Sequence, residues 1–128
     1  MTISEELKQK VWEKGRVVEG FNPEMYRKDA CGAWIIRDKY GAIDNLYGWH
    51  IDHIYPASRL YEMGVPESDI WDLRNLRPLQ CQNNLTKSDD YPSYTAAVTS
   101  EGNKNVQRDR TLIVNEAVRN ELSQMYHL

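Results

Sequence analysis

The sequence predicts an α+β fold, and three observations carry this prediction. Residues 49–54 alternate apolar and polar side chains, which is typical of a half-buried strand. Residues 76–79 have the composition of a second, shorter strand, and residues 81–87 that of a helix of about two turns. Apolar residues at helical spacing near both ends of the chain predict one helix before this strand pair and helix, and a strand and a helix after it.

The elements before this unit follow from local signals. Thr2 with Glu5 forms a capping-box pattern ahead of apolar residues at helical spacing, so a first helix is predicted over roughly residues 3–14. Residues 17–18 are a candidate short strand. Residues 25–30 are predicted to be a short helical or irregular piece, and residues 33–37 have strand composition.

The elements inside and after the unit are predicted in the same way. Residues 56–70 hold turn-forming side chains and are predicted to be a loop with a helical turn at residues 59–63. Residues 94–98 suit a strand, and residues 101–103 a turn. Asn115 is the predicted cap of a final helix.

Length and composition limit the class of protein. The chain has 128 residues, enough for one domain with a modest core, which we take as residues 1–128 with a motif core of about 24–90. The net charge of −3 argues against a nucleic-acid binder that depends on counterion release alone, so any basic surface must be local. No apolar run is long enough to span a membrane, and no membrane partner is expected.

The two cysteines bear on compartment and chemistry. Cys31 and Cys81 lie far apart in sequence, so a disulfide framework is not expected and a reducing, cytoplasmic location is predicted. They also raise a rival chemistry, a Cys–His hydrolase with His53 as base. Neither cysteine lies in a sequence signature for that class, and both are better explained as buried small hydrophobes.

Three short segments bring metal-binding side-chain types to the predicted unit. They are residues 48–56 (Gly-Trp-His-Ile-Asp-His-Ile-Tyr-Pro), residues 75–79 (Asn-Leu-Arg-Pro-Leu) and residues 84–87 (Asn-Leu-Thr-Lys). Asp52 and Asn84 offer oxygen atoms, which hard cations such as Mg²⁺ and Mn²⁺ prefer. We therefore predict that these two side chains hold one divalent cation.

The predicted general base is His53. An unperturbed imidazole has a pKa of about 6.5, so it is mostly neutral at pH 7 and can accept a proton from water. Neighbouring strand residues point to opposite faces, so Asp52 and His53 can serve one site only near a strand end, which Pro56 provides. Asn75 carries both donors and an acceptor and can tie down the loop that holds His53.

Asn83 competes with Asn84 for the metal, because adjacent helical positions lie about 100° apart and only one can face it squarely. Asn84 is favoured because Lys87 lies one turn further along the same face, where it could meet a phosphate. His50 lies two residues before Asp52 on the same strand face, so the metal, the substrate and solvent all stay open as its partner.

Phosphate contacts are expected from the basic residues that lie near the motif in sequence. Lys87 is the first candidate and Arg59 the second, followed by Arg74 and Arg77. The tryptophans near the motif are predicted to belong to the core rather than to stack on bases.

Taken together, these segments resemble the HNH endonuclease family, of the ββα-metal class. The resemblance covers roughly residues 24–90. It implies a ββα-metal core with an N-terminal helix and a C-terminal strand and helix extension. It further implies that Asp52 and Asn84 hold one divalent cation, that His53 activates the water that attacks a phosphodiester, and that Asn75 fixes the His53 loop.

Two departures from the family pattern matter. Many members carry a four-cysteine zinc centre, and only Cys31 and Cys81 stand near those places here, so no structural zinc is expected. Position 50 is often acidic in the pattern and is His50 in this chain. With an imidazole nearby, Ni²⁺ or Zn²⁺ stay open beside Mg²⁺ and Mn²⁺.

Two functions follow from the sequence. The first is an endonuclease that cuts nucleic acid with a divalent cation; DNA is favoured as its substrate, and RNA stays open. The alternative is a non-catalytic module that binds nucleic acid or protein and retains the fold. The enzyme is favoured because all four expected side chains are present, namely Asp52, His53, Asn75 and Asn84. The oligomeric state is left open.

Overall fold

The computed structural model describes residues 3–128, which form a mixed α+β structure. In the described residues the helices are α1 (Glu5–Trp12), α2 (Ala57–Glu62), α3 (Glu67–Ile70), α4 (Cys81–Lys87) and α5 (Glu116–Tyr126). The strands are β1 (Tyr26–Lys28), β2 (Trp34–Ile36), β3 (Trp49–His53), β4 (Leu76–Gln80), β5 (Ser93–Glu101) and β6 (Lys104–Ile113). They pair as three antiparallel two-stranded sheets, β1–β2, β3–β4 and β5–β6. The predicted α+β class is confirmed.

Helix α1 is where the spacing of apolar residues placed it, but its cap differs from the predicted one. The Ser4 side chain accepts a hydrogen bond from the Leu7 amide at 3.1 Å, and this satisfies one of the free N–H groups of the first turn. The predicted cap, Thr2, lies outside the described residues. Val11 and Trp12 are fully buried, so the apolar face of α1 anchors the N-terminal part of the chain to the core.

The prediction for residues 25–30 is wrong, because part of this stretch is strand β1. Its partners are distant in sequence, and this is why local propensity did not indicate a strand. On one side it pairs with β2, and on the other Lys28 forms a bridge with Arg16. The strand predicted at residues 17–18 is likewise absent from the described structure, and the pairing occurs at Arg16 instead.

The antiparallel strands β3 and β4 form where the sequence predicted a strand pair. Asp52 lies opposite Arg77 in their register, and His53 lies opposite Leu76. The connection between the two strands carries α2, α3 and a 3₁₀ turn, Leu73–Asn75, where a loop with one helical turn was expected. Helix α4 begins directly after β4 and contacts both strands.

The C-terminal part of the chain is more regular than its sequence predicted. The strand expected at residues 94–98 extends over Ser93–Glu101, and the turn leads into a second long strand, Lys104–Ile113. The Asn115 side chain accepts from the Val118 amide at 2.9 Å and caps α5, as predicted.

The antiparallel pair of β3 and β4 packs between two hydrophobic clusters. On one side Trp49 and Leu76 pack with the buried face of α1. On the other side Ile54 and Leu79 pack with side chains of α2, β5 and α5. Each fully buried side chain of this size contributes about 1.5 to 3 kcal/mol. The residues at the end of β3 are therefore carried by a strand that is fixed on both faces.

Candidate functional site

A groove of about 190 Å³ lies where β3, the start of α2 and the end of α4 meet. Its polar lining side chains are Asp52, His53, Ser58, Asn84, Ser88 and Asp89. Asp52 and His53, at the end of β3, thus share one surface with Asn84, which follows them in the chain after α2, α3 and β4. Ser58, Ser88 and Asp89 were not predicted as lining residues. Ser88 and Asp89 directly follow the predicted helix at residues 81–87, and this position was the available signal.

His53 is half-buried at the end of β3. Its ring and that of Trp71 pack edge to face, with the ring centres 4.4 Å apart. Burial is the largest influence on the imidazole and lowers its pKa below the usual 6.5, while the nearby Asp52 carboxylate raises it and the Lys87 ammonium lowers it. The Nε2 atom is buried and has no hydrogen-bond partner among the described residues. His53 is therefore mostly neutral at pH 7, as a general base must be.

Asn75 is fully buried and grips the chain just after His53. Its amide accepts a hydrogen bond from the Tyr55 backbone N–H at 2.7 Å and donates one to the Tyr55 carbonyl at 3.1 Å. Its own backbone carbonyl accepts from the Ile54 N–H at 2.8 Å. These three bonds fix the backbone beyond the strand end, which is the contact that the sequence predicted for Asn75.

The Asp52 carboxylate is buried between two cations. Its Oδ2 accepts from Arg77 Nε at 2.9 Å, and its Oδ1 lies 3.3 Å from Lys87 Nζ. Only 4 % of Asp52 is exposed. Each carboxylate oxygen has a second lone pair, so both pairings leave Asp52 able to accept a further ligand. A metal ion that approached would nevertheless feel the repulsion of two fixed positive charges.

The predicted phosphate contact of Lys87 does not fit the structure, because this residue is buried. The Lys87 side chain is fully buried, and its ammonium donates to the His53 carbonyl at 3.1 Å as well as pairing with Asp52. Burial lowers its pKa, against the raising effect of Asp52. A side chain held in this way cannot reach a phosphate at the surface, so Lys87 is an internal partner of Asp52.

The three arginines do not form one cluster. Arg59 donates to the backbone carbonyl of Asp89 at 2.9 Å, at the margin of the groove. Arg77 is mostly buried beneath Asp52. Arg74 is exposed, forms two hydrogen bonds with the Asp72 carboxylate, and lines a different cavity together with Arg77. Arg59 is the predicted phosphate contact that the geometry leaves beside the groove.

Asn83 and Asn84 are neighbours on α4, but one is buried and the other is partly exposed. Asn83 is fully buried; its amide donates to Asp29 and to the Val98 carbonyl, and it accepts from the Ala97 and Val98 N–H groups at 2.8 Å. Asn84 is partly exposed and lines the groove, and its amide has no hydrogen-bond partner within residues 3–128. This contrast agrees with the preference for Asn84 as a ligand.

These two asparagines provide a matched pair of variants. Asn83→Ala removes four buried hydrogen bonds and leaves the Asp29 carboxylate and the β5 amides with fewer partners, so unfolding free energy should fall by about 2 to 4 kcal/mol. Asn84→Ala should change it by less than about 0.5 kcal/mol. Urea denaturation of both variants measures the difference. Equal losses of stability would show that Asn84 is also a structural residue.

His50 lies beside the groove rather than in it. It lines an adjoining cavity of about 230 Å³ with Cys81 and the exposed Leu85, and Asn84 lines both spaces. Burial lowers the pKa of His50. The residue is therefore next to the candidate ligand Asn84, and its three open partners remain metal, substrate and solvent.

The two cysteines are buried, as predicted. Burial raises the pKa of Cys31 to about 12 and that of Cys81 to about 11, so both thiols are protonated at neutral pH. A thiolate is the nucleophilic form. The structure therefore offers no support for the Cys–His chemistry.

The donor set of the groove suits a hard cation that keeps much of its water. Asp52 supplies a carboxylate, Asn84 an amide oxygen, and Asp89 a second carboxylate. Within residues 3–128 no three His, Cys, Asp or Glu side chains come together as a ready-made metal cluster. Mg²⁺ is commonly held by one or two carboxylates with water and substrate phosphate completing the shell. These residues therefore fit a cation of that kind.

Comparisons with known proteins find no relative. No protein-family model matches the chain, and no curated protein and no solved structure matches it. Among the described residues, no helix is both long enough and apolar enough to cross a membrane.

Proposed function

We propose that the protein is a metal-dependent nuclease that hydrolyses phosphodiester bonds in nucleic acid, with DNA as the expected substrate. In this function β3, β4 and α4 would form the ββα-metal unit of an HNH endonuclease. Support comes from the way the antiparallel strand pair is followed by a helix, with Asp52 and His53 on the first strand and Asn84 on the helix.

Each residue has a chemical task in this proposal. His53 accepts the proton of the attacking water through the imidazole, which burial keeps neutral. Asn75 holds the backbone after His53 in place. Asp52 and Asn84 would hold the divalent cation, which when bound would stabilise negative charge developing on the phosphate. Arg59, at the margin of the groove, would neutralise a flanking phosphate.

One observation carries the proposal. Asp52 and His53 of β3 line a single groove with Asn84 of α4, and the alternative asparagine is turned into the core. A half-buried neutral imidazole and an unpaired amide face the same space beside a carboxylate. Polar groups that converge in a cleft in this way are typical of a functional site.

A plasmid-nicking assay tests the proposal. Supercoiled DNA should be nicked in Mg²⁺ or Mn²⁺ and remain intact in EDTA, and a folded RNA should be cut more slowly. His127→Asn is a control for the preparation, since His127 is the exposed residue directly after α5 and Asn tolerates its positive φ of 57°. Intact plasmid with both metals, or equal cleavage in EDTA, would reject the proposal.

A second candidate function is a binding module without catalysis. The observation that favours it is the double pairing of Asp52 with Arg77 and Lys87, since fixed cations oppose a metal at that carboxylate. A module of this kind would retain DNA or protein binding in EDTA and would give no nicked plasmid in any metal. The same assay, run beside a DNA-binding measurement, separates the two functions.

A further inference from the structure

A second, larger cavity lies at the outer edge of β4. It has a volume of about 440 Å³ and is bounded by the segment after α1, by β1 and by α5. None of the residues lining the groove of His53 lines this cavity. It is therefore a separate space, and we call it the basic cavity.

The lining of the basic cavity is strongly positive in a chain whose net charge is −3. Its five basic side chains are Lys14, Arg16, Lys28, Arg74 and Arg77.

Two acidic residues, Asp29 and Glu121, also line the cavity. Asp29 is committed to the interior, because its carboxylate accepts from the backbone N–H groups of Cys31, Ala33 and Gln80 and from the Asn83 amide. Burial raises its pKa, so its negative charge is disfavoured. Arg77 and Arg74 are paired with Asp52 and Asp72, so the excess positive charge of the lining comes from Lys14, Arg16 and Lys28.

Several of these cations lack an anionic partner. Arg16 is exposed, and its side chain forms no ion pair with the described residues. Lys28 lies over the Trp34 ring, 4.8 Å from its centre, which leaves its charge uncompensated. Lys14 donates to the carbonyls of Leu73 and Leu76, which are neutral. None of these three side chains therefore forms a salt bridge with a carboxylate of the described residues.

Arg77 adds an unused hydrogen-bonding group. Its Nε is bonded to Asp52, but its buried Nη2 has no partner in the part of the chain that the structure describes. Buried polar groups without a partner are rare and call for an explanation. A planar guanidinium matches the geometry of a phosphate, so an oxyanion in the cavity would complete the hydrogen bonding of Arg77 once its side chain shifts to expose Nη2.

The remaining walls of the cavity are apolar. They include Pro78, Tyr94, Val114 and Val118. Cavities that bind small ligands typically measure about 300 to 1,000 Å³ and combine apolar walls with a few polar groups. The basic cavity lies in this range, and it is larger than a bare phosphate needs.

We propose that the basic cavity binds a phosphate group attached to an organic moiety of about nucleotide size. The phosphate would lie among Arg16, Lys28 and Arg77, with the organic part against the apolar wall. Two sources share this chemistry, a free phosphorylated small molecule and a phosphodiester of bound nucleic acid. The site is distinct from the groove of the proposed nuclease and does not depend on that activity.

Isothermal titration calorimetry of the intact chain in EDTA tests this site. The probes are AMP, inorganic phosphate and a short single-stranded oligonucleotide. The cavity variant is Arg16→Gln/Lys28→Gln. The control variant is Lys10→Gln/Lys104→Gln, which removes the same charge from exposed positions that do not line the cavity. Thermal melting verifies that both variants are folded.

AMP should bind the wild type more tightly than inorganic phosphate does. The cavity variant should weaken AMP binding at least tenfold, because two charge-assisted contacts are lost, and the control should change it less than about twofold. If only the oligonucleotide shows this pattern, the phosphate belongs to nucleic acid. Equal affinity of the cavity and control variants for all three probes, or no binding of any probe, overturns the proposal.

A His53→Ala protein separates this result from the fate of the proposed nuclease. Its groove is altered, but the basic cavity is intact, so its affinity for AMP should equal that of the wild type. A loss of AMP binding in His53→Ala would place the phosphate in the groove and would also contradict the proposed cavity site. Failure to nick plasmid leaves this comparison unaffected.

Discussion

His53→Ala is expected to reduce the rate of plasmid nicking by roughly 10²- to 10⁴-fold, the usual contribution of a general base. The loss should appear with saturating Mg²⁺ and with saturating Mn²⁺, because the candidate ligands Asp52 and Asn84 remain. The measurement is the initial nicking rate under single-turnover conditions, with His127→Asn as the matched histidine control. Undiminished cleavage by His53→Ala would remove the residue from the mechanism.

The pH profile gives the same variant a second readout. Burial lowers the pKa of His53 below 6.5, so the neutral, active form persists to lower pH than for an exposed histidine. Activity should therefore be present above pH 6.5 and decline as pH falls through the lowered pKa. In His53→Ala the residual activity should lack this acidic decline. An unchanged decline in the variant would assign it to another group.

The central unit could be predicted because its signals are local. The alternation in residues 49–54 and the composition of Cys81–Lys87 act over a few positions, and each gave the correct element. The helical angle between neighbours showed that only one of Asn83 and Asn84 could face the groove. The ground for choosing Asn84, a phosphate contact of Lys87 on the same face, is wrong because Lys87 is buried, although Asn84 does line the groove. The expectation for Asn75 also depended on a short-range property, the ability of an amide to donate and accept at once.

The remaining features depend on contacts between distant segments. Strand β1 forms because of β2 and Arg16, and propensity alone could not show this. The burial of Lys87 depends on the place where α4 crosses β3, and a Lys at the end of a short helix is ordinarily exposed. The basic cavity combines residues from the beginning, middle and end of the chain, so no single segment of sequence indicates it.

The buried charges connect the groove with the basic cavity. Arg77 lines the basic cavity and pairs with Asp52, and Asp52 lines the groove. Lys87 approaches Asp52 from α4 and also holds the backbone of His53. Asp52 is therefore the common counter-charge of two buried cations, and any account of it as a metal ligand must include its structural contribution.

Asp52→Asn is expected to lower the free energy of unfolding by about 3 to 5 kcal/mol, the usual effect of breaking a buried ion pair. The amide keeps the shape of the carboxylate, but Arg77 and Lys87 lose their counter-charge in surroundings that solvate them poorly. Since domains of this size are stable by about 5 to 15 kcal/mol, the variant should remain folded but melt at a clearly lower temperature. Urea denaturation measures the change, with the exposed Asp109→Asn as the matched control.

The cause is tested by adding Lys87→Met to Asp52→Asn. Once the carboxylate is neutral, removing one of the two stranded cations should restore stability by about 1 kcal/mol or more relative to Asp52→Asn alone, although Lys87→Met on its own is destabilising. This sign reversal is specific to an electrostatic origin, because a loss of packing would make the two substitutions additive. If Asp52→Asn is as stable as Asp109→Asn, the buried charges do not hold the site together, and loss of activity in Asp52→Asn could then be attributed to the metal alone.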